Sequence, residues 1–165
     1  MVRYDDIGNI NQRNDHRFGR EIEMMNDLVI AKNILNSGNY TCVISQNDSI
    51  YTSTERGVKP LMVWLESKEC FKDFCAADKV VGKATAFLYV LSGVKALYAH
   101  VISKSALQVL TEHHIATEYD ELVENIINRQ GNGICPFEAA VLHVTEPATA
   151  YETIRRKMSE MNITI

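Results

Sequence analysis

The features that this sequence lacks exclude several classes of protein before any motif is considered. No run of about 18 apolar residues occurs, so no membrane-spanning helix is expected. The N-terminal Met1–Asp6 lacks the apolar core of a signal peptide. The four cysteines include no Cys-x-x-Cys pair of the kind found in zinc ribbons and thioredoxins. We therefore expect a cytoplasmic protein with reduced thiols that does not bind membranes.

An excess of positive charge is also missing. The chain carries 17 Lys and Arg against 21 Asp and Glu, which gives a net charge of −4 and a pI near 5.7. This balance supplies no general attraction for nucleic acid, so no nucleic-acid partner is expected. Any site for an anion must be local.

The chain length and the apolar pattern predict one α/β domain. Residues 1–17 are polar without a usable period, which predicts a disordered tail, and residues 18–165 form the single domain. Helical and β-rich patterns alternate, as in a layered sandwich with a mixed sheet. The first helix places its apolar residues on one face: Ile22, Met25, Leu28, Val29 and Leu35. The later predicted elements are a hairpin of 40–45 and 49–53, a helix from Pro60, a strand over 74–77, a helix over 81–91, a strand over 94–102, a helix capped by Ser105, a strand over 115–119, and helices over 119–127, from Pro136 and over 147–161.

Lysines stand where helix N-termini prefer acidic residues. Lys79 and Lys83 fall in or beside the first turn of the helix predicted from Val81, and Lys59 opens the helix before it. A bound anion would remove the conflict, whereas the alternative is that these lysines are solvated and partly offset by Asp78. Asp78 itself follows a predicted strand, where ligands gather in open α/β sheets, or else it caps the helix.

The glycine-rich loop that ends at Cys135 is the second candidate region. Cys135 precedes Pro136 at the start of a predicted helix, a position that lowers the pKa of a thiol. Glu138 lies in the same first turn, and Arg129 is suited to bind a carboxylate or phosphate. The alternative is a half-buried cysteine in an ordinary glycine turn. The loop is not a phosphate loop, because no Gly-Lys-Ser or Gly-Lys-Thr closes it.

Four segments resemble a small uncharacterised bacterial family, a domain of unknown function placed in the cytidine-deaminase-like superfamily. The resemblance covers roughly residues 40–143, and the segments are Ala77–Ala84, Asn128–Glu138, Gly57–Leu61 and Val101–Ser103. It implies a three-layer α/β/α sandwich with one mixed sheet. In zinc deaminases two helix N-termini converge on the metal and carry His-x-Glu and Pro-Cys-x-x-Cys. The helices that begin near Lys59 and Lys79 should hold those places, but neither carries these motifs. The resemblance therefore implies a protein without metal or cofactor.

The function expected from these patterns is a metal-free, deaminase-like pocket that binds a small anionic ligand, nucleotide-like or phosphate-like. If the protein is an enzyme, a transferase or hydrolase, then Cys135 would be the nucleophile or the acid/base, with Lys83 and Asp78 assisting. The alternatives are a non-catalytic binding or sensing module, and a structural protein that forms homo-oligomers and has a closed crevice beside Lys83. The predicted ligand-binding residues are Lys59, Lys79, Gly82, His100, Ser103, Asn128, Arg129, Gly133 and Glu138.

Overall fold

The structure, a computed structural model, describes the backbone from Asp5 to Ile165 and the side chains from His16 onward. Within this part of the chain, no helix is long and apolar enough to cross a membrane. The elements in chain order are α1 Asp5–Ser37, β1 Cys42–Gln46, β2 Ser49–Ser53, α2 Lys59–Glu66, β3 Cys75–Val81, α3 Lys83–Ser92, β4 Ala96–Ser103, α4 Lys104–Glu112, β5 Ala116–Val123, α5 Pro136–Ala140 and α6 Pro147–Glu160.

The strands form one mixed five-stranded sheet in the order β2-β1-β3-β4-β5. β1 runs antiparallel to both β2 and β3, and β3, β4 and β5 run parallel. All strands except β1 therefore end at the same edge of the sheet, which we call the carboxyl edge. Because α2, α3 and α4 follow β2, β3 and β4 directly, their N-termini also begin at that edge.

Helices cover both faces of the sheet. On one face α1 packs Leu28, Ala31 and Leu35 against alternate strand residues such as Cys75 and Ala77. The other face carries the larger apolar core, to which α2, α3, α4, α5 and α6 all contribute. This arrangement confirms the predicted α/β domain with a mixed sheet between helices.

Two predicted boundaries are wrong at the carboxyl edge. β3 runs on to Val81, so the helix predicted from Val81 begins at Lys83 instead. Pairing with β4 outweighs helix formation here, because Val80 and Val81 sit opposite Val101 and Ile102 in the neighbouring strand. The N-cap of α4 is Ser103, whose side chain accepts the Ala106 N–H, and not Ser105.

The helix predicted over 119–127 is also wrong. β5 continues to Val123 and pairs in parallel with β4 through Ser103. Most residues of β5 are exposed, because it is an edge strand. Its polar sequence therefore lacks the alternation of apolar and polar residues that predicts a strand, and it was interpreted as a helix.

The apolar stripe predicted on α1 is divided. Leu28 and Leu35 are buried, whereas Ile22, Met25 and Val29 are 57%, 64% and 55% exposed. The α1 range includes residues 5–17 of the predicted tail. Met1–Tyr4 and the side chains before His16 lie outside the described part, so the disordered tail stays a prediction.

Candidate functional site

The buried carboxylate of Glu138 lies at the carboxyl edge and receives four hydrogen bonds. Glu138 belongs to the first turn of α5 and is only 1% exposed. Its Oε2 accepts the Ile126 N–H at 2.5 Å. Its Oε1 accepts the Lys83 N–H at 3.3 Å, the Ser105 hydroxyl at 3.1 Å and the Ser103 hydroxyl. A buried charge needs such partners, because an uncompensated one is strongly destabilising.

This carboxylate serves the N-termini of two further helices. Neither α3 nor α4 has an acidic residue in its own first turn. Glu138 reaches α3 through the Lys83 N–H, and it reaches α4 through Ser103, whose oxygen also accepts the Ala106 N–H at 3.2 Å. Helix N-termini carry partial positive charge and favour an anion. At the start of α3, where the lysine pattern predicts a bound anion, the chain supplies its own.

The lysines of the prediction do not form one cluster. The Lys83 amine donates to the Leu142 carbonyl at 2.6 Å. Burial lowers the pKa of Lys83, and the nearby Glu112 and Glu138 carboxylates partly oppose this. Lys79 lies inside β3, so its interpretation as a helical i,i+4 partner of Lys83 is wrong. Lys59 forms an ion pair with Glu55 at 3.2 Å.

Gly82 allows the β5–α5 segment to approach the end of β3. It is the N-cap of α3 and has an extended backbone. A Cβ added at Gly82 would lie 3.1 Å from Cγ1 of Ile126 and 3.6 Å from Cδ of Glu138. A larger residue would therefore crowd the Ile126 side chain and lie in ordinary contact with Glu138.

The glycine-rich loop is a small hairpin with its own internal contacts. Ile127 and Ile134 form an isolated antiparallel bridge, and the Asn128 N–H donates to the Gly133 carbonyl at 2.8 Å. The Asn128 side chain binds Asn132, and Gly131 has a φ of +71°, a conformation that suits glycine. Asn128 and Gly133 thus have structural roles in the loop, and Arg129 is exposed near its tip.

Cys135 is the N-cap of α5, close to its predicted position. Its N–H donates to the Ile126 carbonyl at 2.7 Å, and its side chain is half-buried against the larger core. The thiol therefore lies three residues before Glu138, with part of its surface packed in the core.

Asp78 belongs to a separate buried cluster. It lies inside β3, so its expected place at the strand end or helix N-cap is wrong. Its Oδ2 accepts the Tyr89 hydroxyl at 2.7 Å, its Oδ1 accepts the Val80 N–H at 3.0 Å, and the Tyr89 hydroxyl lies 3.1 Å from Sγ of Cys42. Burial raises the pKa of Asp78 to about 7, although these hydrogen bonds oppose the change. Burial also raises the pKa of the Cys42 thiol, which makes it a poor nucleophile.

The structure thus brings Gly82, Lys83, Ser103 and Glu138 together, and it places His100 elsewhere. His100 extends toward α1 and hydrogen-bonds Asn36 at 2.7 Å, on the face opposite the Glu138 site. Sequence reasoning missed Tyr89 and the Ile126 N–H, because neither breaks a local rule, and it named Ser105 only as a helix cap. Among the described residues, no three His, Cys, Asp or Glu side chains are grouped to hold a metal ion.

The geometry and the sequence place the chain in a known family. Residues 30–158 match the family profile described as TM1506: Domain of unknown function (DUF1893), and the chain belongs to this family. A similar solved structure is that of a DUF1893 family protein, TM1506, from Thermotoga maritima. It is 28% identical, with a TM-score of 0.75, and the match covers 80% of this chain and 90% of that chain. No curated protein matches.

The raised pKa of Asp78 predicts how the stability of the protein changes with pH. Its folded pKa of about 7 lies above its ordinary 3.8. The contribution of its protonation to stability is therefore fully present below about pH 4 and is lost as the pH rises through about 7. Asp78→Asn keeps the side chain neutral. We expect the unfolding free energy of wild type, relative to this variant, to fall between about pH 4 and 8 in urea titrations.

The matched control for this experiment is Asp48→Asn, because Asp48 is exposed in the hairpin turn. It should follow the wild-type pH profile. A constant difference between wild type and Asp78→Asn over the whole range would contradict the burial argument.

Proposed function

We propose that this chain is a non-catalytic interaction module with a cytidine-deaminase-like fold. The observation that carries the proposal is the Glu138 carboxylate at the start of α3, where a ligand would otherwise contact the helix N-terminus. The module would act by binding another macromolecular surface and not by chemistry at the carboxyl edge.

The sheet topology supports the deaminase-like classification. A hairpin, β2 and β1, precedes three parallel strands connected by helices. The N-termini of α2 and α3 lie at one edge of the sheet, as the resemblance to deaminases implies. The positions that carry zinc motifs in deaminases are Gly57–Pro60 and Asp78–Lys83 here, without His-x-Glu or Pro-Cys-x-x-Cys.

The contacts of Glu138 argue against a small anionic ligand at this edge. A ligand would have to displace a carboxylate that is 1% exposed and holds four donors. A buried donor that loses its acceptor costs about 1–3 kcal/mol, and four donors would lose theirs. The Lys83 amine is also engaged, by the Leu142 carbonyl.

Exposed apolar side chains indicate where the module would bind. Four of them recur with helical spacing on α1, namely Phe18, Ile22, Met25 and Val29. Apolar surface rimmed by polar residues marks interaction sites in soluble proteins. A cavity of about 180 Å³ opens beside Met25 and Val29, between α1 and β5.

One observation favours the alternative, a metal-free enzyme. Burial lowers the pKa of Lys83, which would raise the fraction of neutral, nucleophilic amine, and α3 packs against the helix that begins after Cys135. That alternative requires an activated Cys135 and a ligand at the Lys83 amide.

Removing the Glu138 carboxylate should open the anion site. We expect Glu138→Ala to lose several kcal/mol of unfolding free energy, because four donors lose their acceptor and each buried donor left unsatisfied costs about 1–3 kcal/mol. Added acetate should raise the melting temperature of this variant by several degrees more than that of wild type, since it can occupy the vacated position. Thermal unfolding with acetate, and with chloride at equal ionic strength, measures both effects.

The control variant is Glu152→Ala, on the exposed side of α6. It should unfold like wild type and show no selective response to acetate. The proposal is wrong if orthophosphate or nucleotides stabilise the wild-type protein and Lys83→Met abolishes the effect, since the site would then bind a ligand while Glu138 is present.

The four thiols give a second test of the alternative. Cys70 is exposed, Cys135 is half-buried, and Cys42 and Cys75 are buried. Burial also raises the pKa of Cys75 to about 11. We expect pulse alkylation with iodoacetamide, read by peptide mapping, to modify Cys70 before Cys135, and both before the buried pair. Faster alkylation of Cys135 than of Cys70 would support the enzyme instead.

A further inference from the structure

Three buried polar side chains lie in a row where β1, β3 and α3 meet. Tyr89 of α3 stands between Asp78 of β3 and Cys42 of β1. The Tyr89 hydroxyl oxygen lies 2.7 Å from Oδ2 of Asp78 and 3.1 Å from Sγ of Cys42. Asp78, Tyr89 and Cys42 are 7%, 0% and 2% exposed. These three residues, which we call the Tyr89 cluster, therefore exchange hydrogen bonds with one another in a site that is closed to bulk water.

No positive charge compensates the Asp78 carboxyl group. Within the described part of the protein, none of the ion pairs includes Asp78. Lys79 follows it in the strand, so the two side chains point to opposite faces of the sheet. The Lys59 amine pairs with Glu55, and the Lys83 amine donates to a backbone carbonyl. A buried charge without a partner is costly, so this carboxyl group favours its neutral, protonated form.

The groups that face Asp78 from the neighbouring elements are neutral. Ala99 lies opposite it in β4, and the buried residues of α2 are all apolar. The titratable neighbours are Cys42 on β1 and Tyr89 on α3. Burial raises the pKa of both groups well above the ordinary values, so both keep their protons near neutral pH. Asp78, whose pKa burial raises to about 7, is therefore the member of the cluster that titrates.

The hydrogen bond to the second carboxyl oxygen decides where the proton binds. Oδ1 of Asp78 accepts the Val80 N–H at 3.0 Å, and a proton on Oδ1 would point at this donor. The proton therefore binds Oδ2, which then donates to the Tyr89 oxygen. The Tyr89 hydroxyl hydrogen must turn to its other neighbour, Sγ of Cys42. When Asp78 is ionised it can only accept, so Tyr89 donates to it and the Cys42 thiol can donate to Tyr89.

We propose that the Tyr89 cluster is a pH-sensitive switch in which one proton, taken from solvent by Oδ2 of Asp78, reverses the donors of both hydrogen bonds. In the acid form the cluster is neutral and Sγ of Cys42 accepts a hydrogen bond. In the basic form the cluster carries a negative charge and the Cys42 thiol donates. The switch transmits the protonation of β3 through α3 to β1. It uses none of the donors to Glu138, so it goes beyond the proposed function and does not depend on it.

The S–H stretching band of Cys42, measured by infrared spectroscopy on the full chain, tests this inference. Its loss in Cys42→Ala identifies the band. As the pH rises from about 5 to about 9, the band should move to lower wavenumber, because the thiol becomes a donor. The midpoint should be about 7, and the ¹³C NMR signal of the Asp78 carboxyl group should titrate with it.

Asp78→Asn should hold the switch in its acid form. The amide oxygen can still accept the Val80 N–H, and the amide nitrogen then donates to the Tyr89 oxygen. The Cys42 band should therefore stay at its acid position at every pH. Tyr89→Phe should also abolish the response, and Asp78 should titrate at higher pH in this variant, because its carboxylate loses a donor.

Cys75 is the internal control, because its buried thiol donates to the Met24 carbonyl at 3.4 Å and should keep a constant band. A Cys42 band that stays constant while Asp78 titrates, or that moves equally in Asp78→Asn, would overturn the switch. A carboxyl midpoint near the ordinary 3.8 would do the same. So would loss of the circular dichroism signal over this pH range, since the band would then report unfolding. The Asp78→Asn comparison decides the question even if Tyr89→Phe does not fold.

Discussion

The buried Glu138 carboxylate is the interaction on which the carboxyl edge depends. Its two oxygens connect the loop residue Ile126, the first residue of α3 and the N-cap of α4, while Glu138 itself belongs to α5. Lys83 and Ser103 stand at helix N-termini, where backbone donors lack partners within the helix. A single side chain thus fixes the relative positions of three helices and of the loop that leads from β5. A Cβ at position 82 would lie 3.1 Å from the Ile126 side chain, so glycine leaves room for the approach of that loop.

This interaction accounts for the unusual lysines without a ligand. The sequence shows Lys83 where a helix N-terminus prefers an acid, and an anion was the natural expectation. The acid comes from a residue 55 positions later. Such a long-range partner leaves no local pattern, so the need for an anion could be predicted but its source could not. The amine of Lys83 extends away from the helix N-terminus to a backbone carbonyl.

Most of the fold could be predicted because its signals are local. The β1–β2 hairpin, α2 at Pro60 and α6 from Pro147 follow from turn residues, proline and apolar periodicity. The boundaries that failed depend on pairing with other strands: β3 runs past Asp78, and β5 runs through 119–123, because β4 offers partners along both. The site was predicted in part for the same reason. Gly82, Lys83, Ser103 and Glu138 meet, whereas Asp78 and His100 bind Tyr89 and Asn36 instead.

Only part of the apolar stripe predicted on α1 is buried by the sheet, and the exposed part supports the proposed role. Apolar periodicity marks residues that will be buried, but it does not say whether the same chain buries them. Leu28 and Leu35 are covered by the sheet, and Met25 and Val29 are not. The exposed Met25 and Val29 on α1 and the carboxyl edge closed by Glu138 are the two features from which we propose binding through that helix.

Amide hydrogen exchange at Lys83 and Ile126, followed by NMR, tests the closure of the carboxyl edge most directly. Both N–H groups donate to Glu138. The account predicts that in the wild-type protein the two amides exchange slowly and with similar protection factors, because they open together as one cooperative unit. In Glu138→Ala both should exchange much faster, because neither N–H keeps its acceptor, while an amide in the middle of β4 should change little. Fast exchange of Lys83 and Ile126 in the wild-type protein would contradict the account, because the edge would then be open to solvent and to ligands.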